Sequence, residues 1–177
     1  MPPRTPRNGE RSRPAPARLA SFDGPRRRRT LASESPARTA ELWRAIGGIV
    51  PPGAVISLEG GLGVGKTLLA KGICAGLGVR EEVLSPSFIL AEEYPGVVPV
   101  IHFDLYRLER LGEVSDIGLF DAVDGRSVVL VEWGDRLPAG ALAVDVEIVM
   151  SITGPEGRDI AIEASAAFLD RLEEALR

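Results

Sequence analysis

Residues Gly60 to Thr67 read G-G-L-G-V-G-K-T, and Gly60, Gly65, Lys66 and Thr67 satisfy the spacing G-x-x-x-x-G-K-[ST]. Each position has a chemical reason. Glycines let the backbone curl, so that the N–H groups along Gly61, Leu62, Gly63, Val64 and Gly65 point inward at phosphate oxygens. A helix beginning at Lys66 aims the positive end of its dipole at the same anion. The Lys66 ammonium reaches the β- and γ-phosphates, and the Thr67 hydroxyl can ligate Mg2+. A dinucleotide fingerprint fails on spacing, because Gly61, Gly63 and Gly65 make G-x-G-x-G and not G-x-G-x-x-G. The expected ligand is ATP or GTP.

Such a loop needs an acid at the end of a nearby strand, to hold Mg2+ or its waters, and a group that positions the attacking water. Two apolar strands end in acids: "VPVIHFD" at Asp104 and "SVVLVE" at Glu132. In an open parallel sheet the ligand lies beyond the carboxyl ends of the strands, where both acids would stand. The plain alternative for each is a carboxylate that caps a turn. His102 shares a face with Asp104 if 101–104 is extended, although a lone His is commonly a hydrogen-bonded structural residue. Arg107 either pairs with a strand-end acid or reaches a phosphate. Trp133 is read as packing, with contact to the nucleotide as the alternative. Ser85 and Ser87, in "SPSFIL", are hydroxyls in a proline-held loop that either folds over a γ-phosphate or is a plain turn.

The elements that must position these residues follow from periodicity. "TAELWRAIGGIV" repeats apolar residues at helical spacing and is stopped by Pro51, Pro52 and Gly53. "AVISLE" reads as a short buried strand, and "KTLLAKGICAGLG" as a helix closed by Gly76 and Gly78. "FILAEEY", "VVPVIHFD" and "SVVLVEW" read as strands, and "DIGLFDAV" as a short helix. "LAVDVEIVMSI" alternates like a half-exposed strand, with "GRDIAIEA" as its hairpin partner. "AAFLDRLEEAL" is a terminal amphipathic helix. The expected fold is a three-layer α/β P-loop domain over residues 36–177. Its central sheet should be mainly parallel, with a C-terminal antiparallel hairpin.

Charge divides the chain. Residues 1–35 carry nine Arg against three acids, while the remainder carries twelve bases against twenty-two acids. An acidic body argues against a broad nucleic-acid-binding face. Residues 1–35 are rich in Pro and poor in large apolar side chains, so composition predicts a disordered tail. Arg26 to Arg29 are read as a solvated run, with an RNA or acidic-partner contact as the sharper alternative. A single Cys, Cys74, excludes a disulfide framework and a cysteine-rich zinc site. No apolar run approaches the length of a membrane helix, and the N-terminus lacks a signal-peptide core. The expectation is a cytoplasmic protein with no membrane partner.

"GGLGVGKT", "SPSFIL", "HFDLYRL" and "VEW", in that order and followed by "GR" before a late strand, resemble the TsaE family (also called YjeE) over about residues 37–177. The resemblance implies a small bacterial Mg-dependent P-loop ATPase needed to make N6-threonylcarbamoyladenosine in tRNA. Its partners would be TsaD-like and TsaB-like proteins, with tRNA met indirectly through that complex. It implies further that Gly61 to Lys66 cradle the phosphates. Thr67 and Glu132 would ligate Mg2+, Asp104 and Lys66 would serve hydrolysis, and Arg158 would approach the nucleotide. "SPS" takes the place of a switch-like segment. The chain departs from the family pattern at Gly61, where Asp is frequent, at Leu68, where a second Thr is frequent, and in S-P-S for S-P-T. A small-molecule P-loop kinase and a nucleotide-gated binding module are the rival readings. The kinase is disfavoured by the lack of an Arg-rich lid insertion after residue 100. Self-association is not readable from the sequence.

Overall fold

The computed structural model describes residues 22–108 and 110–177. A seven-stranded sheet runs through the molecule in the order β1-β7-β6-β2-β5-β4-β3. Its centre is β2 (Val55–Gly60), β5 (Val128–Glu132), β4 (Val100–Asp104) and β6 (Val146–Ile152). These four pair in parallel, β6 to β2, β2 to β5 and β5 to β4. Antiparallel strands finish both edges: β3 (Ala91–Tyr94) on β4, and on the other side β7 (Arg158–Ser165) on β6 and β1 (Arg26–Ser33) on β7. The parallel core and the C-terminal hairpin agree with the sequence expectation.

The central strands are apolar along their whole length because both sheet faces are covered. On one face lie α1 (Pro36–Ile49), α2 (Lys66–Gly76) and α5 (Ala166–Ala175), which bury Trp43, Ile46, Leu69, Ile73 and Phe168 against Ile56, Leu58, Leu130, Ile148 and Ile162. On the other, α3 (Leu111–Asp116), α4 (Leu119–Ala122) and the 137–144 segment cover Val55, Phe103, Val129 and Val131. Helix α1 starts where its capping chemistry says it should. The Ser35 hydroxyl accepts a hydrogen bond from the Arg38 N–H at 3.3 Å, and Pro36 follows in the first turn, where its missing N–H does no harm.

Order starts earlier than composition predicts, which corrects the boundary drawn at residue 35. The arginine run is strand β1, paired with β7 from Arg26 opposite Ser165 to Ser33 opposite Arg158. Edge pairing is made by backbone groups, so it tolerates side chains that build no core. The strand is also anchored at its ends and along its faces. Phe22 is fully buried, its ring 5.5 Å from that of Phe168. Leu31 packs on the helix-side core. Arg26 donates to Glu163 and to the Val144 and Asp145 carbonyls, and Arg29 pairs with Glu173. The part of the expected tail in residues 1–21 lies outside the described residues.

Two smaller differences concern elements beside the loop. The strand expected over 88–94 begins only at Ala91, because Pro86 to Leu90 form a turn in which Leu90 N–H donates to the Pro86 carbonyl and Leu90 has φ 68°. Phe88 and Ile89 are exposed there. Helix α2 is closed by Gly78, at φ 82°, whereas Gly76 is its last helical residue and faces α1.

Candidate functional site

Strand β2 delivers the chain into the glycine loop, and α2 leaves it at Lys66. Gly63 and Gly65 have φ of 76° and 111°, in the left-handed region that side chains rarely adopt. They let the loop fold back over the first turn of α2, where Val64 N–H donates to the Gly61 carbonyl and Leu69 N–H to the Gly65 carbonyl. The Lys66 ammonium donates to the Gly60 carbonyl at 2.8 Å and the Gly61 carbonyl at 3.0 Å. It also stands 3.5 Å from the centre of the Trp133 ring, a cation–π contact. Burial holds the Lys66 ammonium below the ordinary lysine range, against the upward pull of Glu132 and Asp104.

The two strand-end acids are adjacent, since β4 and β5 pair with Asp104 opposite Glu132. Their partners differ. Glu132 Oε1 accepts from the Thr67 hydroxyl at 3.1 Å and faces His102 Nε2 at 3.1 Å. Asp104 Oδ2 takes hydrogen bonds from the Ser85 and Ser87 hydroxyls, and Oδ1 accepts from the Tyr106 N–H at 2.9 Å. Lys66, Thr67, Asp104, Glu132, Ser85 and Ser87 therefore line one cleft of about 250 Å3, floored by Gly63 and Gly65.

A second cleft, of about 490 Å3, continues past Gly63, Val64 and Gly65 between α1 and the β6–β7 turn. Thr39, Trp43, Leu68 and Lys71 line it, and Arg158 closes it. Arg158 Nε donates to the Val64 carbonyl at 3.0 Å, which ties the outer wall of the loop to β7. A further concavity, of about 540 Å3, lies on the opposite face of the sheet and contains none of these residues. There, burial and the nearby charges of Glu147 and Asp135 hold the Glu59 carboxyl above its ordinary range, against a hydrogen bond from Ser57.

Leu62 to Thr67, Asp104, Glu132 and Arg158 thus border two clefts that share Gly63, Gly65 and Leu68, and Gly61 lines neither. Leu62 is at the mouth and exposed, and Gly61 accepts from Lys66 through its carbonyl. Arg107 does not line the cleft; its guanidinium stacks 4.4 Å from the Phe88 ring centre. Sequence reasoning gave Trp133 mainly a packing role. Its φ of 62° turns the chain at the end of β5, and its ring lies between Lys66 and Tyr106, whose ring centre is 5.0 Å away. No local signal beyond its place after Glu132 pointed to that contact.

The donor set suits one kind of metal. A hydroxyl and a carboxylate are hard oxygen ligands, and Mg2+ is typically held by one or two such groups plus substrate phosphates. Among the described residues, no three carboxylate, imidazole or thiol groups gather into a protein-only metal site.

A glycine loop between a central parallel strand and a helix, with two acids on neighbouring strands beside it, defines the P-loop class of nucleotide-binding folds. The model of the threonylcarbamoyl adenosine biosynthesis protein TsaE matches residues 33–160, and the chain belongs to that family. It is 35% identical to the tRNA threonylcarbamoyladenosine biosynthesis protein TsaE of Treponema pallidum, over 73% of this chain and 96% of the relative. To the Bacillus subtilis protein of the same name it is 36% identical, over 80% of this chain and 89% of the relative. The crystal structure of Bacillus subtilis YdiB superposes with a TM-score of 0.66 at 30% identity, covering 88% of this chain and 98% of that one.

Proposed function

We propose that this protein is the ATP-hydrolysing subunit needed to form N6-threonylcarbamoyladenosine in tRNA. It would act in the cytoplasm with TsaB-like and TsaD-like proteins and meet tRNA through their complex. Support for the pathway comes from the relatives' names. Support for the chemistry comes from one observation: Lys66, Thr67, Asp104 and Glu132 converge on a single cleft at the N-terminus of α2. No helix among the described residues is long and apolar enough to cross a membrane.

In this reading the backbone of Gly61 to Gly65 cradles the phosphates, and the cleft beside Trp43 and Arg158 takes the nucleoside. Lys66 exchanges the Gly60 and Gly61 carbonyls for phosphate oxygens, which bear full negative charge and bind an ammonium more strongly. Thr67 and Glu132 would hold Mg2+, which would supply positive charge to offset that of the phosphates. The Thr67 hydroxyl already donates its hydrogen to Glu132, which leaves its lone pairs for a cation. Asp104 accepts a hydrogen bond from the attacking water and so orients it. Ser85 and Ser87 both donate to Oδ2 of that carboxylate in the present structure, so the 85–87 loop and the water would compete for the same group. This links loop position to turnover.

The test is phosphate release from ATP, with and without the TsaB-like and TsaD-like proteins of the same organism. Weak turnover alone and stimulated turnover with both partners are expected. Binding of ATP with no hydrolysis under either condition would replace the enzyme by a nucleotide-gated binding module.

A further inference from the structure

We propose that His102 is a positioning residue: its Nε2–H holds Glu132 in the orientation that the Thr67–Glu132 pair needs to receive Mg2+. This rests on the nucleotide reading of the site and adds a member to it. His102 lies in β4 two residues before Asp104, is fully buried, and has one polar contact among the described residues, Nε2 to Glu132 Oε1 at 3.1 Å. An ionised carboxylate only accepts, so in this pair Nε2 carries the hydrogen.

The other ring nitrogen shows that packing does not explain the residue. Nδ1 is buried with no hydrogen-bond partner among the described residues. Val100 precedes His102 on the same strand face, and Leu130 stands opposite it on β5. An aliphatic side chain there would leave no polar atom unsatisfied, which is the cheaper arrangement for a core. The imidazole therefore accounts for itself through Nε2. That hydrogen bond and the one from Thr67 both fall on Oε1, and Oε2 has no hydrogen bond among the described residues. Two donors from different elements, β4 and α2, stop the carboxylate from rotating and leave one oxygen uncommitted in a residue that lines the cleft. Fixing a metal ligand in advance in this way raises metal affinity without touching the metal.

The experiment measures ATP binding by calorimetry across a series of Mg2+ concentrations, together with melting temperature, for the intact protein and for His102→Leu, His102→Gln and His102→Asn. His102→Leu should raise the half-saturating Mg2+ concentration by about 10- to 100-fold. Binding of ATP without Mg2+ and the melting temperature should hold, since the orphaned Nδ1 is removed as well. The amide nitrogen of Gln falls near the Nε2 position and should restore most of the Mg2+ response. That of Asn falls near Nδ1 and should not. The Gln and Asn comparison stands even if the Leu variant folds poorly. Wild-type Mg2+ dependence in both Leu and Asn variants overturns the proposal. So does an equal loss in all three variants, with and without Mg2+, accompanied by lowered melting temperatures, because that pattern is purely structural. If the unaltered protein shows no Mg2+-dependent ATP binding, it is the nucleotide reading that fails, whatever the variants do.

Discussion

Lys66, Asp104 and Glu132 share one cleft but hold different partners, and removing each should fail in its own way. Lys66 is the mobile positive charge at the loop. Its replacement by Ala should weaken Mg-ATP binding by roughly ten- to a hundredfold, the equivalent of about 1.5–3 kcal/mol for a charge-assisted contact. Calorimetric titration checks this, and an unchanged affinity would refute the phosphate role. Glu132 accepts from Thr67, whereas Asp104 accepts from Ser85, Ser87 and the Tyr106 backbone. Glu132→Ala should therefore raise the Mg2+ concentration needed for binding. Asp104→Ala should lower turnover with little change in ATP affinity, the signature of an interaction made mainly in the transition state. Mg2+ titrations read by binding and by phosphate release separate the two. The reverse assignment of defects would exchange their roles.

The loop is held in place by the packing of α2 on α1, and that packing depends on residues without side chains. A Cβ on Gly47 would lie 2.2 Å from the Ile73 carbonyl oxygen, and one on Gly76 would lie 2.4 Å from the Arg44 carbonyl oxygen. Both obstacles are backbone, so the helices would have to separate. Gly76→Ala should cost about 1–3 kcal/mol through overpacking. That corresponds to a melting temperature lower by several degrees, at about 2–4 °C per kcal/mol for a domain of this size. Because α2 starts at Lys66, the displacement should also weaken ATP binding. Thermal melts with and without Mg-ATP report both effects. A variant as stable as the parent would mean that the two helices can part without penalty.

At the scale of the molecule, the arginine-rich strand and Phe22 join the N-terminal part of the described chain to its last helix. Phe22→Ala should cost about 3–5 kcal/mol, as large aromatic truncations in cores do. The melting temperature should fall by on the order of 10 °C. A chain beginning at residue 34 should be less stable than one beginning at residue 22, because it loses both Phe22 and the β1–β7 pairing. Equal melting temperatures would show that the edge strand contributes nothing. Cys74 offers a probe of the same cooperative core. Burial pushes its thiol up to about 12, so at pH 8 it stays protonated as well as enclosed. Thiolate is the reactive form, so alkylation by iodoacetamide should be slow in the native protein and should accelerate with unfolding in urea. Mass spectrometry of the labelled protein follows this directly, and rapid labelling without denaturant would mean that the core opens locally at α2.

What could be read from the sequence was whatever chemistry is written in adjacent residues. The phosphate loop, its strand and helix, and the acids at two strand ends are local patterns, and the structure brings Lys66, Thr67, Asp104 and Glu132 to one cleft. The edge strand was hidden for the opposite reason. Composition measures core-building side chains, but β1 is fixed by backbone hydrogen bonds to a strand more than a hundred residues away. Gly76 read as a helix stop because a glycine near a helix end usually is one, and only the approach of α1 shows that it makes room. Which acid meets Thr67, where Arg107 turns, and that Trp133 covers Lys66 were likewise decided by tertiary structure. Spacing along the chain names the groups able to bind a phosphate or a cation. Strand order and register decide which of those groups come within hydrogen-bond distance of one another.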